Sequence, residues 1–131
     1  LIDAGAAAVD EPGVTLFAAS HTDVDIYTTS APKAVVANLG YLPGGDLQLT
    51  TRPETTLVAL RKCCDLLASG GRLVVAIYPV HEGGREEAAQ VDEFFRALPE
   101  QEFDVLRTCR LQKKIVEESR PQKSRNYVEI T

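Results

Sequence analysis

The densest chemistry in the chain lies in Asn38-Leu39-Gly40-Tyr41-Leu42-Pro43-Gly44-Gly45-Asp46. An asparagine amide followed by a glycine and an aromatic ring can hold a flat group that carries an amino nitrogen. The amide and a backbone carbonyl orient the amine, and the glycines let the backbone come close. Two histidines stand apart from this segment, His21 after Ser20 and His81 before Glu82. A neutral imidazole or a carboxylate can take the proton that an attacking amine must lose, so His81 and Glu82 are candidate general bases. No Ser/His/Asp or Cys/His set suggests a covalent mechanism.

Charge is unevenly placed. Residues 1–109 hold 8 basic and 16 acidic side chains, whereas residues 110–125 hold 6 basic and 2 acidic ones. Lys113, Lys114 and Arg120 belong to this basic segment and suit contacts with an anionic partner. Cys63, Cys64 and Cys109 are an odd count without metal-ligand spacing, so they read as buried free thiols of a reducing compartment, and no metal site is expected. No apolar run nears the roughly 20 residues of a membrane helix, and no signal peptide is visible. The expected location is the cytoplasm, or an organelle for a eukaryotic protein. The hydrophobic fraction of 44% is enough for one packed domain over 1–131.

The elements that must position these residues follow from periodicity. Val14–Ala19 reads as a strand ending at Ser20-His21, and residues 22–33 as a short helix or loop. Ala34–Leu39 and Leu73–Tyr78 are continuous apolar runs, as in parallel strands covered on both faces. Between them, Leu57, Leu60, Cys63, Cys64 and Leu67 recur at helical spacing. Thr51 and Glu54 suggest a capping box at that helix start, and Gly70-Gly71 its end. A second helix is expected over about 85–98, with Ala88, Val91, Phe95 and Leu98 as its apolar stripe, and Glu86 and Glu87 near its positive end. Strands over 103–111 and 126–130 close the chain, and this last pair suits an antiparallel arrangement. Alternating strands and helices give an α/β class with a mostly parallel, Rossmann-like sheet. Ligands then lie beyond the carboxyl ends of the strands, where Ser20-His21, Asn38 to Asp46 and Pro79 to Gly84 fall.

Three motifs, NLGYLPGGD (38–46), TTRPETT (50–56) and IYPVHEGG (77–84), resemble in order and spacing a small family of class I methyltransferases, the rRNA methylases. Members have been tied to methylation of the aminomethyl group of 2-thiouridine at the tRNA wobble position. The resemblance implies S-adenosylmethionine as methyl donor and RNA as partner, with tRNA favoured over rRNA. It implies that Asn38, Leu39 and Gly40 lie next to the transferred methyl group, with Asn38, Tyr41 and His81 as the catalytic set. It places Ser20 and His21 on the adenine side of the cofactor. Tyr41, Leu42, Pro43, Gly44, Glu82, Gly83 and Gly84 would face substrate, and Lys113, Lys114 and Arg120 would meet RNA phosphates.

Two departures stand out. The family has an acidic residue before the Ser-His pair, where this chain has Ala19. The family's N-terminal third, with the first two strands and the glycine-rich cofactor loop, has no counterpart among these residues. The expected fold is therefore a partial class I methyltransferase sheet without its first two strands, which binds S-adenosylmethionine weakly or not at all. Strand 34–39 should then be an open edge, inviting a homodimer or a rearranged pairing of the first 30 residues. The competing reading is a non-catalytic fragment or an RNA- or partner-binding remnant. A small dehydrogenase is disfavoured because no glycine-rich nucleotide loop is present.

Overall fold

In the computed structural model, which describes residues 12–40, 50–78, 83–109 and 126–130, the apolar runs become a four-stranded sheet. Strands β1 (Ala34–Leu39), β2 (Arg72–Ile77), β3 (Val105–Cys109) and β4 (Asn126–Ile130) lie in the order β1-β2-β4-β3. β1 and β2 pair in parallel, Val35 opposite Leu73 and Leu39 opposite Ile77. β4 inserts between β2 and β3, antiparallel to both. Three strands thus run one way and the C-terminal strand runs back, as expected from the sequence.

The helices are α1 (Val24–Tyr27), α2 (Pro53–Leu66) and α3 (Gly84–Arg96). α2 and α3 follow β1 and β2 and turn their apolar stripes onto a shared core. Leu60, Cys63 and Cys64 of α2 meet Val91 and Phe95 of α3 over Leu39, Leu73, Val75 and Ile77 of the sheet. At the far side of this layer Arg107 of β3 pairs with Asp92 of α3 at 2.5 Å.

Two expectations are corrected. The first concerns β1, read as covered on both faces. Its burial alternates, and Val36 is 72% exposed while Leu39 is 4% exposed. Hydrophobic composition alone cannot distinguish one covered face from two, and among the described residues only one face of β1 carries helices. β1 is also the edge of the sheet, with no described strand beside it. The second concerns Val14–Ala19, which forms no strand. Val14, Leu16 and Phe17 stay exposed, and the Phe17 ring stacks on Tyr27 with centroids 4.4 Å apart. A strand needs a ladder partner, and none reaches this run among the described residues.

Cys63 and Cys64 are free and buried. Burial raises the Cys63 thiol, and burial together with the neighbouring Cys63 pushes Cys64 up to about 11. Both thiols therefore stay neutral at physiological pH and are poor nucleophiles. With Cys109 replaced by serine, a disulfide reagent at pH 8 should label the native chain slowly and the urea-unfolded chain fast. Rapid labelling of the native chain would contradict the packing. The raised values favour the protonated folded state, so this stability contribution is full below the ordinary thiol range and fades as pH climbs toward about 11.

Candidate active site

β1 and β2 are parallel, so their carboxyl ends open on the same sheet edge. β1 delivers Asn38, Leu39 and Gly40 there. Asn38 is exposed, at the register position opposite Ala76, whereas Leu39 is buried in the core. Any contact of Leu39 with a ligand would run through its backbone. Gly40 has φ of 134°, a conformation that side-chain-bearing residues rarely adopt.

Gly40 is held on both its polar groups. Its N–H donates to Thr51 Oγ1 at 2.8 Å, and its carbonyl accepts from the Thr51 N–H at 2.9 Å. The Thr51 hydroxyl in turn donates to Glu87 Oε2 at 2.8 Å, and Thr56 Oγ1 donates to Glu87 Oε1 at 2.6 Å. Glu87 and Thr56 are each 1% exposed. This corrects the capping-box expectation. The N-cap of α2 is Arg52, which makes no side-chain cap bond, and Thr51 reaches across to α3 instead. A capping hydroxyl accepts from a backbone N–H, and here the Thr51 oxygen accepts from the Gly40 N–H while its hydrogen goes to the Glu87 carboxylate.

α3 starts at this edge too. Its N-cap, Gly83, takes φ of 77°, and its carbonyl accepts from the Glu87 N–H at 3.0 Å. Glu87 lies in the first turn of α3, where the helix dipole favours negative charge. Gly84 is buried behind it. The structure therefore brings together Asn38, Leu39 and Gly40 with Gly83 and Gly84, through Thr51 and Glu87.

Ser20 and His21 are not at a strand end. Ser20 caps the 3₁₀ turn His21–Asp23, accepting from the Thr22 N–H at 3.2 Å. The segment is tied to α2, where Lys62 Nζ donates to the Thr22 carbonyl at 2.7 Å and to Asp25 at 2.6 Å. That bond and the ammonium charge lower the Asp25 pKa. Tyr41, Leu42, Pro43, Gly44, His81, Glu82, Lys113, Lys114 and Arg120 lie outside the described residues.

Sequence reasoning passed over Glu87 and Thr56 as site residues, yet a signal existed. Glu87 precedes Val91, Phe95 and Leu98 at helical spacing, and Thr56 precedes Leu60, Cys63 and Leu67 in the same way. A polar residue at the head of each buried stripe asks for a partner, and here the two partner one another. Among the described residues no buried side-chain polar atom lacks a hydrogen bond, and no group of acidic, histidine or cysteine residues could hold a metal ion.

Known proteins extend this geometry. The family described as "Putative rRNA methylase" matches residues 4–119. The chloroplastic tRNA (mnm(5)s(2)U34)-methyltransferase of Arabidopsis thaliana is 38% identical over 101 residues, covering 76% of this chain and 37% of that protein. A "putative rRNA-methylase" from Clostridium thermocellum superposes with a TM-score of 0.76 at 39% identity, over 89% of this chain and 59% of that one. A "putative methyltransferase" of Streptococcus mutans, solved in complex with SAH, gives 0.64 at 30% identity, over 85% of this chain and 57% of its own. The chain thus spans well under two thirds of the length of these relatives. With the three motifs, the strand order and the family match in agreement over most of its length, the chain belongs to the rRNA methylase family.

Proposed function

We propose that this chain supplies the acceptor side of an S-adenosylmethionine-dependent RNA methyltransferase, acting on the aminomethyl nitrogen of a 2-thiouridine in tRNA. The observation that carries the reading is the delivery of exposed Asn38, beside the latched Gly40, to the edge where α3 begins. The Arabidopsis relative's name supports the tRNA substrate, and its chloroplast label supports an organellar location for a plant-type homologue. No described helix is long and apolar enough to cross a membrane.

The donor supplies a methyl group on a sulfonium centre. The amine lone pair forms the new N–C bond as the C–S bond breaks, with the sulfur keeping that electron pair. The Asn38 amide oxygen accepts an N–H of the amine and aims its lone pair in line with the methyl. His81 or Glu82 takes the proton released by the alkylated nitrogen. Gly40 acts through shape, because its N–H is already committed to Thr51. Ser20 and His21 remain the candidate adenine contacts, and Lys113, Lys114 and Arg120 the phosphate contacts, with affinity that falls as salt rises.

The full-length protein, given labelled S-adenosylmethionine and tRNA that carries the unmethylated aminomethyl group, should methylate that nucleoside, read by mass spectrometry of digests. Incorporation into rRNA alone would replace the substrate, and no incorporation into any RNA would end the reading. Residues 1–131 alone should show no micromolar binding of S-adenosylmethionine by calorimetry, because they contain no glycine-rich cofactor loop. Micromolar binding would show that this half of the site suffices.

A further inference from the structure

The Thr51–Glu87–Thr56 cluster is an unusual use of a core position. Glu87 shares its helix face with Val91 and Phe95, and an apolar residue there would extend the stripe. The chain instead buries a carboxylate at 1% exposure, where it accepts from hydroxyls 36 and 31 residues away in sequence. Donor accounting explains what a carboxylate achieves. Ionised, it only accepts, so both threonines must donate to it. Once the Thr51 hydroxyl hydrogen points at Glu87, its lone pairs are free to accept the Gly40 N–H. The polarity of the whole chain, from the Gly40 amide through Thr51 to Glu87, is set by the acceptor at its end.

We propose that Glu87 is a positioning residue: through Thr51 it fixes the strand end Asn38–Gly40 relative to the first turn of α3, so that the loops after β1 and β2 are held as one unit. Its carboxylate is buried and accepts from the Thr51 and Thr56 hydroxyls. It acts on Asn38 through Gly40, whose left-handed conformation would otherwise leave the strand end free to swing. The proposal rests on the reading of Asn38 as the residue that orients the acceptor amine.

The test uses the full-length protein and the variants Glu87→Leu, Thr51→Val and Thr51→Ser. A leucine keeps the approximate size and removes both accepting oxygens, so neither threonine hydroxyl keeps its acceptor. Hydrogen–deuterium exchange of the Gly40 amide should rise about 10-fold in Glu87→Leu and in Thr51→Val. Exchange over β2 residues 72–77 should stay unchanged, and Thr51→Ser should retain protection. On tRNA, kcat should fall on the order of 10- to 100-fold with little change in KM for RNA, because misplacement affects alignment more than docking. Thr51→Ser should restore it.

Unchanged Gly40 exchange in the folded Glu87→Leu variant would overturn the proposal. So would a rise spread equally over β2, which would mean general loosening. If Glu87→Leu fails to fold, Thr51→Val decides by the same two readings. Should the unsubstituted protein methylate no RNA, the functional reading fails by itself, while the exchange data still report whether Glu87 controls Gly40.

Discussion

Replacing Asn38 by alanine is expected to lower kcat on hypomodified tRNA by on the order of 100- to 1000-fold, the usual cost of removing one aimed hydrogen-bonding group from a reacting centre. The structure makes this substitution informative. Asn38 is exposed and lies on the face of β1 away from the helices, so the core does not depend on its side chain. Its backbone stays paired opposite Ala76 whatever the side chain. Surface substitutions of this kind change stability by about 0.5 kcal/mol or less. The melting temperature should therefore hold while turnover collapses, and cofactor affinity should change far less than turnover. Unchanged turnover would remove Asn38 from the reaction. A loss that tracked a lowered melting temperature would make its role structural.

Phe95→Ala should produce the largest loss of stability. Phe95 is 2% exposed and sits where α3 meets α2 and the sheet, among Leu60, Val91 and Leu73. Its ring also meets Phe94 edge-on, with centroids 5.1 Å apart. Truncation removes the transfer contribution and leaves a cavity that neighbouring side chains fill only partly, costing about 3–5 kcal/mol. For a domain of this size that lowers Tm on the order of 10–20 °C. Its neighbour is the control. Phe94 is half-buried, with the Arg61 guanidinium 4.8 Å from its ring centroid, and Phe94→Ala should cost about 1–2 kcal/mol. Thermal melts followed by circular dichroism separate the two. Equal shifts would mean that the buried stripe of α3 is wrongly assigned.

The elements around the site were legible wherever their signal was local. The apolar runs at 34–39 and 73–78 became β1 and β2 within a residue, and the spacing of Leu57, Leu60 and Cys63 gave α2. Asn126–Ile130 formed the final strand as expected, antiparallel to its neighbours. Val14–Ala19 has the same local signal and forms no strand, because pairing depends on a neighbour that composition does not report. Thr51 and Glu54 matched a capping box, yet the Thr51 hydroxyl found a buried carboxylate on another helix.

The sequence by itself carried the family and the alternation of strands and helices, and it singled out the stretch from Asn38 to Asp46 as the candidate place for chemistry. These rest on residue identity and on spacing within one element, which a chain carries before it folds. Tertiary structure alone decided that Gly40 is hydrogen-bonded to Thr51, that Thr51 in turn reaches Glu87, and that among the described residues only one face of β1 is covered. Those facts depend on which groups meet across 36 residues of intervening chain. A hydrogen bond between such distant groups forms only after packing has excluded water and fixed their separation, so no local pattern encodes it.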